Sequence, residues 1–271
     1  MFPFIREAKD KIQSCKGVDA MKKVTRILTL AMMLAMAATG VAMATPSTQI
    51  WIPSTDIQAY KTLHLGIDNY IRTTSKGGGA NTYVIGLTGG ILPFEKIQAE
   101  IGFDYMDAGT NGGADKHPIY FNGKIGTPEN SLCKYSPAIA VGVYNMGTQT
   151  SGPAATKQNI AYGLLAKTLP VVGRISAGGF HGSSTVLVDE NGKSANDGLL
   201  LSWDRTMSEI SDKLWLGIDY QSGKSALGAL NFGVSWAFAK NVSVIFGYDI
   251  YNNVKTGGKN TFTTQLDINF P

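Results

Sequence analysis

The sequence predicts an all-β protein, a transmembrane antiparallel up-and-down β-barrel of about twelve strands. Three observations predict it. From residue 61 onward, large apolar residues alternate with small or polar ones at a period of two, as in strands with only one face in apolar surroundings. Most of these segments run for about ten residues, the length a tilted strand needs to cross a bilayer. The segments are joined alternately by short turns and by longer stretches rich in Gly, Asn, Thr and Lys. That alternation suits a barrel with turns at one rim and loops at the other.

The strands fall at 61–72, 81–91, 96–107, 119–126, 137–146, 158–168, 172–182, 197–205, 213–221, 226–237, 242–252 and 261–270. Parity is clearest at the two ends of this series. Leu63, Leu65 and Ile67 alternate with His64, Gly66 and Asp68, and Val242, Val244, Phe246 and Tyr248 alternate with Ser243, Ile245 and Gly247. In 119–126 and 137–182, Ala and Gly blur it. The short connections are LPFE, LPV, FAKN and the somewhat longer TMSEISD; the others include TSKGGGAN, AGTNGGADKHP and GSSTVLVDENGKSAN. An even strand count puts both ends of the barrel on the turn side, the periplasm.

A soluble sandwich or lipocalin-like barrel would point the apolar face inward. Two features argue against it. The opposite parity is small or polar, which suits a wet lumen. The aromatics also gather toward strand ends, with Phe103, Tyr105, Tyr220, Tyr248 and Phe262 toward the loops and Trp203, Trp236 and Phe270 toward the turns. Two such girdles are expected where a barrel meets two membrane interfaces.

Ahead of the strands, residues 21–44 read as a secretory signal: Lys22, Lys23 and Arg26, an apolar stretch, and Ala42-Met43-Ala44, with cleavage expected between Ala44 and Thr45. Residues 1–20 read as a leader extension or a start placed too early, with Met21 the true start. Cys15 is then lost and Cys133 is left as the one mature cysteine, so no internal disulfide is expected. The formal charge of +4 lies wholly in residues 1–44; the rest has 17 basic and 17 acidic residues, which leaves no basic footprint for nucleic acid. Residues 45–60, with Pro46, Pro53 and the apolar run Ile50-Trp51-Ile52, form a periplasmic segment that enters the lumen as a plug, docks on the rim or stays a loose tail, with docking the favoured expectation. Burying that run is favoured over leaving it in water. Residues 61–270 make the barrel.

The last strand, TFTTQLDINF, resembles the C-terminal signal that outer-membrane barrels present to the barrel assembly machinery, with Pro271 as a departure after the terminal Phe270. The stretches IYFNGKIGTPEN, LPVVGRISAGGF and ALGALNFGVSWAFAKNVSVIFGYDIYNN resemble a group of uncharacterised, porin-like bacterial outer-membrane barrels, over about residues 49–270. The resemblance implies export through the periplasm to the outer membrane, where lipid and lipopolysaccharide are the surroundings. It implies no substrate, cofactor or catalytic residue, and it leaves the oligomeric state open.

Parity assigns inward acids at Asp68, Glu100, Asp104, Asp204, Asp219, Asp249 and Asp267, and inward bases at Lys124, Lys167 and Arg174, with His64 a further candidate. The acids other than Asp204 lie on strands 1, 3, 9, 11 and 12, the bases on strands 4, 6 and 7. An acidic wall facing a basic wall would set ion selectivity across a pore. The same charges could instead meet as salt bridges and close it, since twelve strands fall between a filled barrel and an open channel.

Three functions follow in order: a small porin-like channel for passive or weakly cation-selective passage of small solutes or ions; a closed structural barrel acting through its outer loops; and a phospholipase-like hydrolase. The last would use His181 as base on Ser183, with Asn196 orienting it. Asp107, Asp115 and His117 share one loop, which is commonplace for a polar loop. The three histidines are far apart and one thiol makes no cluster, so no metal or cofactor is expected.

Overall fold

The computed structural model describes residues 47–74, 76–109, 116–151 and 155–271. The leader, the signal segment, the Ala44/Thr45 junction, Cys15 and Asp115 lie outside them. Twelve strands follow one another in sequence: β1 (Leu63–Arg72), β2 (Thr82–Gly90), β3 (Gln98–Asp107), β4 (Ile119–Thr127), β5 (Ala138–Gly147), β6 (Lys157–Leu169), β7 (Gly173–His181), β8 (Asp197–Thr206), β9 (Leu214–Gln221), β10 (Ala229–Ala239), β11 (Val242–Tyr251) and β12 (Thr261–Phe270). Each pairs antiparallel with its neighbours in sequence, and β1 closes on β12 with Leu63 opposite Phe270. The result is a closed up-and-down barrel, which leaves no unpaired sheet edge. Three register shifts interrupt the ladder, at Phe121/Gly123, Tyr144/Met146 and Ala237/Ala239.

The rim that carries both ends of the barrel has the turns 91–97, 128–137, 170–172, 207–213 and 240–241. The other rim has the described loop residues 73–74 and 76–81, 108–109 and 116–118, 148–151 and 155–156, with the loops 182–196, 222–228 and 252–260, the last holding the short helix α1 (Val254–Gly257). The turn 128–137, which carries the exposed Cys133, is as long as some loops. It folds over the end of β6. Glu129 accepts the Lys167 ammonium at 2.8 Å and the Thr168 amide at 3.1 Å.

That contact corrects one expected lumen residue. In β6 the inward residues are Ile160, Tyr162, Leu164 and Ala166, all buried. Lys167 shares the outward parity of Leu165 and stands opposite Ile175 in β7. Its charge is matched by a turn carboxylate outside the lumen. The inward side of β6 is apolar, which the alternation of Ala and Leu concealed.

The exterior carries an apolar belt. Ile101, Leu199, Leu165 and Val141 are each at least half exposed. A contiguous surface of this kind is costly in water and matches a lipid-facing wall. No helix among the described residues is long and apolar enough to cross a membrane, so any crossing is made by strands. The eight girdle aromatics, Phe103, Tyr105, Trp203, Tyr220, Trp236, Tyr248, Phe262 and Phe270, all have outward parity, and the Trp203 indole donates to the carbonyl of Val172 at the turn rim. Tyr83 and Phe121 toward the loops, and Phe94 and Phe238 toward the turns, are exposed as well.

The interior holds a compact apolar cluster. Ile160, Tyr162 and Leu164 of β6, Phe180 of β7 and Leu200 of β8 pack with Leu187, which the loop 182–196 folds inward, and with Ile52 from the segment before β1. Leu200→Ala is expected to cost about 2–5 kcal/mol, read from denaturant unfolding of the lipid-embedded barrel. A change below about 0.5 kcal/mol would mean that this cluster is not packed.

The Glu129 contact carries a pH dependence. Burial alone raises the Glu129 carboxyl, but hydrogen bonds from Lys167 and Thr168 outweigh it and hold the group below its ordinary value. A carboxylate lowered on folding stabilises above its unfolded pKa, and that contribution is lost as pH falls through the folded value. Glu129→Gln is therefore expected to cost at most about 1 kcal/mol at pH 7. It should approach the parent protein as pH falls through the folded value of the Glu129 carboxyl, in the same unfolding assay.

Candidate functional site

Residues 47–58 lie inside the barrel. The chain turns back on itself between Thr48 and Pro53, with the Gln49 amide on the Ile52 carbonyl at 2.8 Å and the Ser54 amide on the Ser47 carbonyl at 3.1 Å. From the tip at 50–52 it returns toward the turn rim, where Tyr60 bridges to Gly90 at the end of β2. The segment lacks strand periodicity and contains a proline, so it cannot join the wall as a regular central strand. It lies within the wall instead, and Ile50 and Ile52 are almost fully buried.

The tip is held by one carboxylate. Asp219 of β9, 1% exposed, accepts the backbone amides of Ile50 and Trp51 at 2.8 Å each and of Ile52 at 3.4 Å, all on the same oxygen. Its other oxygen takes the Asn231 amide at 2.6 Å. Consecutive amides converging on an anion form a backbone nest, and the charge strengthens each bond. Gln265 of β12 donates to the Ile50 carbonyl at 2.7 Å, and the Trp51 indole donates to Leu227 at 3.0 Å. The Trp51 ring meets Tyr70 and Tyr251 edge-on at 5.2 and 5.7 Å. Gly233 makes the close approach possible: a Cβ there would sit 2.9 Å from the Ile50 side chain.

Two cross-strand ion pairs, with a third to the hairpin's own Asp56, hold the base. Lys124 and Glu100 are direct cross-strand partners 3.2 Å apart. The Lys124 ammonium also donates to the carbonyls of Ser47, Ser54 and Asp56, while Glu100 accepts the Gln58 amide at 2.7 Å. Arg174 and Asp204 are likewise cross-strand partners, bonded at 2.9 Å. Arg174 reaches Asp56 at 2.6 Å, and Asp204 also accepts from Gln49 and from the Trp215 indole. The expected acidic and basic walls are therefore not separate. Lys124 and Arg174 each meet an acid on the adjacent strand and clamp the returning chain between them.

The hairpin leaves part of the lumen unfilled. A cavity of about 660 Å³ runs beside it, bounded chiefly by β1–β5 and reaching the loop segments near Gly79 and Gly258. Asp68, Asp104 and Asp267 line it, with His64, Tyr70 and Arg72 of β1, Tyr144 of β5 and Trp51 of the hairpin. His64 bridges Asp267 at 3.3 Å and Asn269 at 2.9 Å. Asp104 accepts from Asn122 at 2.9 Å, and its carboxylate fills the space that a Cβ at Gly86 would occupy. Asp68 has no hydrogen bond or ion pair among the described residues. Near the mouth, Arg72 donates to the carbonyls of Ala80 and Lys259 and lies over the Tyr251 ring.

Of the residues expected to line a pore, Asp68, Glu100, Asp104, Lys124 and Asp267 face this cavity. Arg174 and Asp219 point inward but are taken up by the hairpin. Asp249 points inward, is fully buried and accepts the Thr261 hydroxyl at 2.6 Å. Lys167 lies outside. Sequence parity missed Asn231 beside Asp219 and Gln265 beside Ile50, whose one visible sign was a polar residue on the inward parity of a strand, and it gave no sign of the hairpin's own Gln49 and Asp56. The suggested hydrolytic trio is not assembled. His181 is exposed opposite Asp197, the Ser183 hydroxyl bonds Thr185 at 3.0 Å, and Asn196 donates to the Gly182 carbonyl at 2.7 Å. Among the described residues, no group of three or more His, Cys, Asp or Glu could hold a metal ion.

Removing the Asp219 carboxylate leaves buried amides unpaired, at about 1–3 kcal/mol each. Asp219→Ala is expected to speed hydrogen–deuterium exchange at Ile50–Ile52 by at least about tenfold, with β1–β12 amides still protected. Unchanged exchange at the tip would show that Asp219 does not hold it.

No protein-family model and no curated protein matches the sequence. Solved structures similar to it include an outer-membrane channel from Pseudomonas putida F1, at 12% identity and TM-score 0.46 over 79% of this chain and 96% of that one. The NanC porin is similar at 11% identity and TM-score 0.43, over 76% and 99% of the two chains. Salmonella typhi OmpF in complex with daunomycin is similar at 8% identity and TM-score 0.39, over 77% and 96%. At these scores the barrel assignment rests on the chain's own closed strand pairing.

Proposed function

We propose that this protein is an outer-membrane, porin-like barrel that passes small solutes, with a weak preference for cations, through the space beside its internal hairpin. The observation that carries the proposal is the cavity of about 660 Å³ with Asp68, Asp104 and Asp267 on its wall. Asp68 and Asp104 have no ion-pair partner among the described residues, and unpaired acids on a low-dielectric wall concentrate cations beside them. The apolar belt supports placement in a bilayer, with outer-membrane lipid and lipopolysaccharide around it. Export by residues 21–44, cleavage after Ala44 and delivery of β12 to the barrel assembly machinery complete this route.

A second reading is a closed barrel that acts through its outer loops. It is favoured by the ion pairs at the base and by the Lys259 amide bonded to the Gly78 carbonyl at 3.0 Å, which ties two loops together at the mouth.

Planar-bilayer recordings separate the two. The channel reading expects steady, cation-preferring current, and Asp68→Asn with Asp104→Asn should lower the cation-to-anion permeability ratio by roughly threefold. An unchanged ratio removes the acidic wall as its cause. Silence from barrels shown to be folded rejects the channel and leaves the closed barrel.

A further inference from the structure

We infer that the cavity is a specific binding site for a small hydroxylated primary ammonium ion, of the chemical class of an amino sugar. The proposal rests on the channel reading for how the ligand reaches the site, and not for the binding itself.

Size comes first. The cavity lies within the 300–1,000 Å³ typical of small-molecule sites, and the hairpin closes one side of it. Charge comes second. Two of the three Lys and Arg side chains that line it are engaged, Lys124 with Glu100 and three carbonyls, Arg72 with two carbonyls and the Tyr251 ring; the third, Lys255 of α1, lies at the loop rim. The acids are not matched in the same way. Asp267 shares His64, Asp104 has only the neutral Asn122 amide, and Asp68 has no bonded partner among the described residues. Asp68 of β1 and Asp104 of β3 both line the cavity, and each can accept an ammonium N–H. A quaternary ammonium, which has no donors, would leave them unpaired.

The third observation is independent of the acids. Gln221 of β9 lines the same cavity and is 1% exposed. Its Oε1 accepts the Tyr144 hydroxyl at 3.2 Å, while its Nε2 has no hydrogen-bond partner among the described residues. A buried amide donor without an acceptor calls for an oxygen on the ligand. Trp51, Tyr70 and Tyr144 supply ring faces and edges along the wall between these two ends. A ligand with an ammonium at one end, hydroxyls at the other and a compact apolar ring face satisfies all three.

The test is isothermal titration calorimetry on the folded protein in detergent, with glucosamine as the probe and glucose and N-acetylglucosamine as uncharged controls. Saturable binding of glucosamine is expected, with both controls at least about tenfold weaker. Asp68→Asn and Asp104→Asn should each weaken glucosamine about tenfold, and Gln221→Leu about fivefold. Glu209→Gln, at an exposed turn ion pair, should change nothing. If Asp68→Asn fails to fold, Asp104→Asn decides. Equal binding of N-acetylglucosamine, or unchanged affinity in the folded Asp variants, overturns the proposal. Parallel conductance keeps the two readings apart. Cation current without saturable glucosamine binding overturns the site and leaves the channel; binding without current supports the site and overturns the channel.

Discussion

Three consecutive backbone amides ending on the Asp219 carboxylate fix the interior of this barrel. Twelve strands enclose more space than side chains alone fill and less than a wide aqueous pore. What occupies that space therefore decides what the barrel can do. With the tip pinned, Ile50 sits against Gly233, Ile52 completes the apolar cluster of β6–β8, and the Trp51 ring stands against Tyr70 and Tyr251. Each contact fixes one more part of the remaining cavity. A shift of the tip would alter the Trp51 wall of that cavity as well as the packing of the opposite side.

Charge is divided in the same way. A buried ion pair repays its desolvation only when further hydrogen bonds complete it. Lys124 and Glu100 meet that condition through Ser47, Ser54, Asp56 and Gln58, and Arg174 and Asp204 meet it through Asp56, Gln49 and Trp215. These pairs act as fasteners for the returning chain. On the other side of the hairpin, Asp68 and Asp104 have no ion-pair partner among the described residues.

The barrel was legible in the sequence because its outer face repeats every second residue, and a one-residue slip would send every side chain to the wrong side. Leu214, Leu216, Ile218 and Tyr220 against Trp215, Gly217, Asp219 and Gln221 show this plainly, and the structure keeps that division. In β6 both faces are apolar, so parity carried no information and Lys167 was assigned inward. The hairpin was visible only as an apolar run between two prolines. Its position could not be read, because its partners come from distant strands whose registers are set by the closed ladder. Parity placed Asp219 inward, but only the folded chain shows that it faces backbone amides and not solvent.

The sequence separation of these contacts bears on assembly. The hairpin precedes β1, yet the anchors of its tip lie 155 to 215 residues downstream, on β8, β9 and β12. Contacts of such high order cannot form until the end of the chain is in place. Joining β1 to β12 closes the long loop once, and residues 47–58 are then tethered a few positions from the lumen that receives them. From that moment their effective concentration at Asp219 is set by a short tether and no longer by the full length of the chain. Sealing the barrel and placing the tip within it are thus thermodynamically linked, while the contacts of Lys124 and Glu100 hold the base independently of β12.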